Sequence, residues 1–160
     1  MKLRFITAKT MPNIISAQDF FDSGLPVSTD ITEQEVTFAI TSVEQFYVMP
    51  RIGELQWTQL IEHPTDYDVA INGGTTLAGL KMSEYHLVFS YLLYDKIRLT
   101  RYSSVIKNDE HSTDPSLKDV LEISKFHWEQ GEVFLRDVLK YLQIEDKGCK
   151  NNLLFNELTY

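Results

Sequence analysis

Few residues of this chain have the types and spacing that chemistry at a site requires. Asp66 and Asp68 have the first spacing of a calcium-binding loop, but its sixth-position glycine and closing glutamate do not follow. Gly73 and Gly74 favour a tight turn with positive φ, yet the Lys-Ser/Thr pair of a phosphate-binding loop is missing. Neither position therefore predicts a bound ion or nucleotide.

Acidic and imidazole side chains elsewhere form no recognisable ligand set. Asp109, Glu110, His111 and Asp114 share a polar stretch whose spacing matches no metal-site pattern, so we interpret them as hydrated loop residues. The four histidines are scattered, and His127 is interpreted as a packed or partly exposed side chain rather than a ligand. Nucleophile elbows, zinc-protease motifs and dinucleotide fingerprints are absent. We expect no catalytic residue, cofactor or metal; the remaining enzyme hypothesis is a hydrolase or nuclease using carboxylates and His111.

Composition restricts the class of protein further. The chain has 160 residues, is 43% hydrophobic and carries a net charge of −8, which favours a globular domain and disfavours binding to phosphate backbones. Cys149 is the single cysteine, so no disulfide can form within the chain. No apolar run approaches the ~20 residues of a membrane span, and no signal-peptide pattern is present. These features predict a protein made in cytosol-like conditions, without a membrane partner.

The most apolar stretch predicts a central helix from about Ser83, as its cap, to about Leu99, with one more turn in front. Glu84 near its start and basic residues near its end suit the helix dipole. Residues 100–115 begin with β-favouring residues and become polar, which predicts a protruding β-arm. The eight tyrosines suit interfaces or a Tyr-rich core equally.

An earlier helix begins at Thr32, where Thr32 and Glu35 have capping-box spacing, and we expect it to end before Pro50. Its inward face is predicted to hold Val36, Ala39, Ile40, Val43 and Phe46. Its solvated face is predicted to hold Glu33, Gln34, Thr37, Thr41, Glu44 and Gln45.

Two further helices complete the predicted core. Residues 51–62 form the first, with Trp57 as a core residue; its other inward positions are Ile52, Leu55, Leu60 and Ile61. Residues 64–76 form a loop. The last helix begins around 114–116 and continues to about 142, and Gly131 inside it predicts a close helix crossing.

The sequence therefore predicts a mainly α fold, a small bundle of three to four helices with a short β-arm between the last two long helices and extended termini. We divide it into residues 1–31, an N-terminal extended arm and short helix; 32–142, a helical domain with the arm at 100–115; and 143–160, a C-terminal docking tail. Apolar residues of this tail either fold back on the core or insert into a neighbouring subunit. Of these two arrangements, we expect insertion into the neighbouring subunit.

Three segments resemble the head–tail connector (adaptor, or ring) proteins of tailed bacteriophages, most closely those of phages infecting Bacteroidetes, including the crAss-like group. They are residues 46–53 (FYVMPRIG), Leu87 to Tyr94, and 104–107 (SVIK) with the polar stretch up to Pro115. The likeness covers about residues 30–142. It implies a structural virion protein of the neck, without enzymatic activity, that forms a ring of about twelve copies below the portal.

The resemblance implies binding to sibling subunits, the portal and a downstream tail or second ring protein, while genomic DNA passes through without specific binding. Glu33 and Glu44 are the expected channel-lining acids. The expected subunit or partner contacts are Arg101, Tyr102, Val105, Ile106, Lys107, Leu153, Leu154, Phe155 and Leu158. The alternative is an adaptor or regulatory protein that forms no ring and binds another protein through a Tyr-rich surface.

Overall fold

The computed structural model describes residues 12–27, 30–102 and 117–144, with only the backbone for 95–102 and 117. This part of the chain is helical and contains no strand, so the predicted mainly α class is confirmed for it. The α-helices are α1 (Ala17–Phe21), α2 (Glu33–Val43), α3 (Met49–Ile52), α4 (Glu54–Glu62), α5 (Asp68–Asn72), α6 (Leu80–Tyr102) and α7 (Leu117–Tyr141). A π-helical turn, Glu44–Val48, joins α2 to α3. Short helices make their number larger than the predicted three to four.

Side-chain caps fix where α1 and α2 begin. The Thr32 hydroxyl accepts a bond from the Glu35 N–H (3.3 Å), and the Glu35 carboxylate accepts one from the Thr32 N–H (2.8 Å). The predicted capping box is therefore confirmed. Ser16 and Asp19 form a second capping box at the start of α1, which the sequence analysis missed. Each box satisfies backbone donors that the first helical turn leaves without partners.

The π-helical turn joins α2 to α3, and α3 continues this helical segment past Pro50, where the helix was predicted to end. A π turn contains one more residue than an α turn, so it rotates the positions that follow it. Phe46 is consequently 77% exposed, and the prediction that it faces inward is wrong; Tyr47 and Val48 are buried instead. Pro50 lies in the first turn of α3, where its missing N–H costs no hydrogen bond. The helical segment formed by α2, the π turn and α3 ends at Gly53, where φ is 94°.

Gly53 also changes which face of α4 is buried. Trp57 and Leu60 are core residues, as predicted, but Leu55 is 77% exposed, which contradicts its predicted inward position. Because α4 begins anew at Glu54 after the positive-φ glycine, the periodicity of the preceding residues does not carry over. The predicted loop 64–76 contains α5 and is therefore shorter than expected.

Helix α6 includes part of the extra turn expected in front of Ser83 and ends three residues later than predicted. It begins at Leu80, directly after Gly79 with φ 89°, so Ser83 is a buried residue inside the helix rather than its cap. It ends at Tyr102, so residues 100–102 are helical and the β-arm does not begin at Thr100. Residues 103–115, the remainder of the predicted arm, lie outside the described part.

Helices α6 and α7 cross closely at Gly131. A Cβ atom there would lie 2.6 Å from Leu87 Cγ and 3.0 Å from the Ser83 carbonyl oxygen, which confirms the predicted close crossing. The Ser83 hydroxyl donates to the Gly131 carbonyl (2.7 Å). Two turns further along, the Ser90 hydroxyl donates to the Ser124 carbonyl (2.7 Å) and the Ser124 hydroxyl to the Ser90 carbonyl (3.0 Å). Small residues and buried serines therefore hold the two helices together.

One apolar core joins all the helices. Its largest fully buried apolar side chains come from α1, α2, α4, α6 and α7 and the segment before α1: Phe20, Ile40, Trp57, Leu60, Leu80, Leu87, Leu135, Leu139 and Ile15. Tyr47 is buried in this core, and Tyr67, Tyr85 and Tyr91 pack against it. This agrees with the interpretation of the tyrosine content as a Tyr-rich core. Among the described helices, none has the length and apolarity needed to cross a membrane.

Candidate functional site

Most of the predicted contact residues lie where the structure cannot place their side chains. Arg101 and Tyr102 belong to the last turn of α6, of which only the backbone is described. The others lie outside the described residues: Val105, Ile106, Lys107, Leu153, Leu154, Phe155 and Leu158. These positions remain predictions.

The two predicted channel-lining acids have opposite environments. Glu33 is exposed in the first turn of α2. Glu44 is 2% exposed, so its assignment to a solvated, channel-lining face is wrong. It lies in the π-helical turn, and its Oε1 accepts hydrogen bonds from the Ile14 N–H (2.8 Å) and the Ile15 N–H (3.4 Å). Glu44 therefore holds the segment before α1 against the end of α2.

Glu84 of α6 is a second buried acid close to Glu44. It has no solvent exposure, and its carboxyl oxygens meet no N–H or hydroxyl donor among the described residues, so the Glu44 carboxyl is the group with which Glu84 can share a proton in a hydrogen bond. Burial, followed by repulsion from Glu44, raises the pKa of Glu84 well above its ordinary value, while Lys81 lowers it slightly. Burial raises the pKa of Glu44 to about 7, against the opposing effects of a hydrogen bond with Glu84 and of the Ile14 and Ile15 backbone donors. The pair is therefore built to hold protons.

This acid pair does not resemble a metal centre. The part of the chain that the structure describes contains no group of three or more His, Cys, Asp or Glu residues that could hold an ion. Asp68, one of the two acids with calcium-loop spacing, accepts a hydrogen bond from the Asn72 amide (2.7 Å) within α5. Asp109, Glu110, His111 and Asp114 lie outside the described residues, so the structure does not test them.

A histidine pair links α6 and α7 at their partly exposed edge. His86 Nδ1 and His127 Nδ1 are 2.8 Å apart, so one ring donates a proton and the other accepts it. The rings stack with an interplanar angle of 24°, and Phe89 packs edge-on against His127. Burial lowers the pKa of both imidazoles, and for His86 the His127 charge adds to this effect. The interpretation of His127 as a packed side chain is confirmed.

An ion pair connects α3 to α7. Arg51 donates to the Glu132 carboxylate (2.6 Å) and to the Tyr47 hydroxyl (3.1 Å), and its side chain is only 4% exposed. The Tyr47 ring packs against Trp128, with ring centroids 4.5 Å apart. A buried charge is stable only with such partners, so this contact fixes the position of residues 46–53 against α7.

The outward side of the α2–α4 segment carries large apolar side chains. Phe38 is 64% exposed and Phe46 and Leu55 are each 77% exposed. We call these three residues the α2–α4 apolar surface. Single exposed apolar residues are ordinary, and only apolar residues that lie together mark a contact surface. Comparisons with protein-family models, curated proteins and solved structures give no match for this chain.

Neither buried titratable pair was predicted from the sequence, although one pattern pointed to Glu84. Leu80, Glu84, Leu87 and Val88 have the spacing of one helical face, so an acid at that position had to be buried with its neighbours. The contact between His86 and His127 had no local signature, because the residues are distant in sequence and meet only through the α6–α7 crossing.

Proposed function

We propose that this chain is a structural virion protein, a subunit of a head-to-tail connector ring below the portal that extends the DNA channel and joins capsid to tail. The observation that carries the proposal is the α2–α4 apolar surface. Phe46 of that surface begins the FYVMPRIG segment on which the resemblance to connector proteins rests. The proposal assigns this surface to the contact with a neighbouring subunit.

A head-to-tail ring requires two different patches on each subunit, one of which enters the other. Phe38, Phe46 and Leu55 suit the entering side, because aromatic and large aliphatic anchors dominate the energy of protein interfaces. The ion pair of Arg51 and Glu132 holds the segment rigidly on α7, so little conformational entropy would be lost when the surface is covered.

The charge of the chain agrees with a passage for DNA. A net charge of −8 keeps phosphate backbones from adhering to the channel wall. Glu33 is the exposed member of the two acids first considered for that wall, and Glu44 is no longer assigned to it because it is buried. If Glu33 lines the channel wall, Glu33→Lys should slow DNA ejection from assembled particles. Unchanged ejection would contradict this position for Glu33.

Assembly is tested by native mass spectrometry of the chain with the portal protein of the same genome. The full chain should bind the portal in many copies, and Phe46→Asp should prevent these copies from forming a ring without changing the circular dichroism spectrum. Val69→Asp, at a 40% exposed position of α5, is the matched control and should bind normally.

Two results would oppose the proposal. Normal ring formation by Phe46→Asp would exclude the α2–α4 apolar surface as the subunit contact. Failure of the full chain to bind the portal at all would favour an adaptor that forms no ring. The adaptor hypothesis relied on a Tyr-rich surface, and four of the described tyrosines pack in or against the core instead.

A further inference from the structure

A second apolar patch lies on α7, on the side turned away from the core. Ile123, Phe126 and Val133 are 45%, 55% and 47% exposed, and their spacing places them on one face of the helix. The half-buried Phe134 borders them. We call these four residues the α7 outer patch.

The patch continues into the seam between α6 and α7. Phe126 contacts the ring of His127 edge-on (5.4 Å between centroids), and Phe134 contacts His86 in the same way (5.6 Å). The exposed Asp137 follows one turn beyond Val133 and closes the patch at that end. An apolar surface that is continuous with a packed seam favours a covering segment.

The chain leaves α7 in a direction that returns it towards the body of the protein. Gln143 has φ 57°, its N–H donates to the Lys140 carbonyl (3.0 Å), and the Ile144 N–H donates to the Leu139 carbonyl (2.9 Å). This is a Schellman cap, which ends the helix and redirects the chain. Ile144 packs against the core, as the hydrophobic contact of that motif requires.

Residues 145–160 follow this cap and lie outside the described residues. Their sequence carries Leu154, Phe155 and Leu158, whose spacing matches one face of a helix, after a polar stretch, 145–152. A polar stretch of that length spans at most ~26 Å at ~3.3 Å per residue. The centre of the α7 outer patch lies ~22 Å from Ile144 at 1.5 Å per helical residue, so the apolar residues can reach it.

We propose that residues 152–158 pack on the α7 outer patch of their own chain. The reach of the polar stretch allows the same chain to cover the patch, and a tethered segment has a local concentration in the millimolar range, which favours it over a second copy. This differs from the expectation that the tail inserts into a neighbouring subunit. It is independent of the proposed ring, because the patch and the segment belong to one subunit.

Photocrosslinking tests the proposal directly. We would place p-benzoylphenylalanine at Phe126, or at Phe38 on α2 as an equally exposed control, and irradiate the full chain. Trypsin cleaves after Lys150 and leaves residues 151–160 as one peptide. Crosslinks from position 126 to this peptide are expected at monomer mass, in a yield that does not change on dilution, and the control should give none.

Absence of the crosslink, or its presence only at dimer mass, would overturn the proposal, and the second result would identify a second copy as the occupant. Phe155→Asp provides an independent measurement. It should raise the binding of an apolar fluorescent dye several-fold at unchanged helix content, whereas Phe155→Leu should not. Equal dye binding by both variants would also contradict the proposal.

Discussion

Replacing Glu44 by glutamine should make this protein more stable at neutral and alkaline pH. The Glu44 carboxyl is buried, and burial raises its pKa from 4.5 to about 7. The native state therefore keeps a proton that the unfolded chain has already released between these two pH values. Because the native state binds more protons there, stability falls as pH rises through that window, and the loss is complete above about pH 7.

The size of the effect follows from the same two values. A difference of one pKa unit corresponds to about 1.36 kcal/mol, so Glu44 alone costs the native state about 3 kcal/mol above its folded pKa. The amide of Glu44→Gln cannot ionise, and its carbonyl can still accept the Ile14 and Ile15 hydrogen bonds. Glu84 acts in the same direction, because its pKa is also raised, chiefly by burial and then by Glu44.

Urea unfolding followed by circular dichroism, at pH values from about 4.5 to 8.5, measures the effect. The free energies of unfolding of Glu44→Gln and of the unsubstituted chain should agree at the acidic end and differ by about 3 kcal/mol in favour of the variant at the alkaline end. Glu33→Gln, at an exposed position of the same helix, should follow the unsubstituted chain throughout. Parallel pH profiles for Glu44→Gln and the unsubstituted chain would refute the reasoning.

Three further substitutions test other contacts. The pKa of His127 is lowered in the folded state, so protonation below about pH 6.5 favours the unfolded chain. His127→Gln should therefore lose less thermal stability than the unsubstituted chain as pH falls below about 6.5. An equal loss in both proteins would contradict this role of His127. Gly131→Ala should cost about 1–3 kcal/mol in urea unfolding, because its Cβ would overlap Leu87; a stabilised variant would contradict the close crossing. Arg51→Met should cost about 3–5 kcal/mol by leaving the Glu132 carboxylate without its buried partner, and adding Glu132→Met should restore much of that; additive losses would oppose this account.

Local patterns in the sequence predicted the parts of the fold that local physics determines. The capping box at Thr32 set the start of α2, because a side chain three residues away satisfies the free N–H groups. Gly131 predicted the helix crossing, because a mid-helix glycine is unfavourable unless a neighbouring helix needs the space. Trp57 was correctly assigned to the core.

The errors arose where long-range packing overrides periodicity. Phe46 was assigned to the wrong face because a π turn has no sequence signature and rotates the residues that follow its start. Glu44 lies four residues after the buried Ile40 and therefore on the same side of the helix, a relation that its charge obscured. Leu55 was misplaced because Gly53 interrupts the helical phase. The partner of His86 depends on the α6–α7 crossing, which no pattern within either helix encodes.

The π turn at Glu44–Val48 connects the two features that matter most for the proposed function. It buries the Glu44 carboxyl beside Glu84 while leaving Phe46 in solvent. Through Tyr47 it also places an aromatic ring against Trp128 of α7. Glu44 and Tyr47 are three residues apart and share one side of the helix, whereas Phe46, two residues after Glu44, points to the opposite side. The acid pair and the α2–α4 apolar surface therefore meet in one turn, and we expect ionisation of Glu44 to act on the turn that presents Phe46.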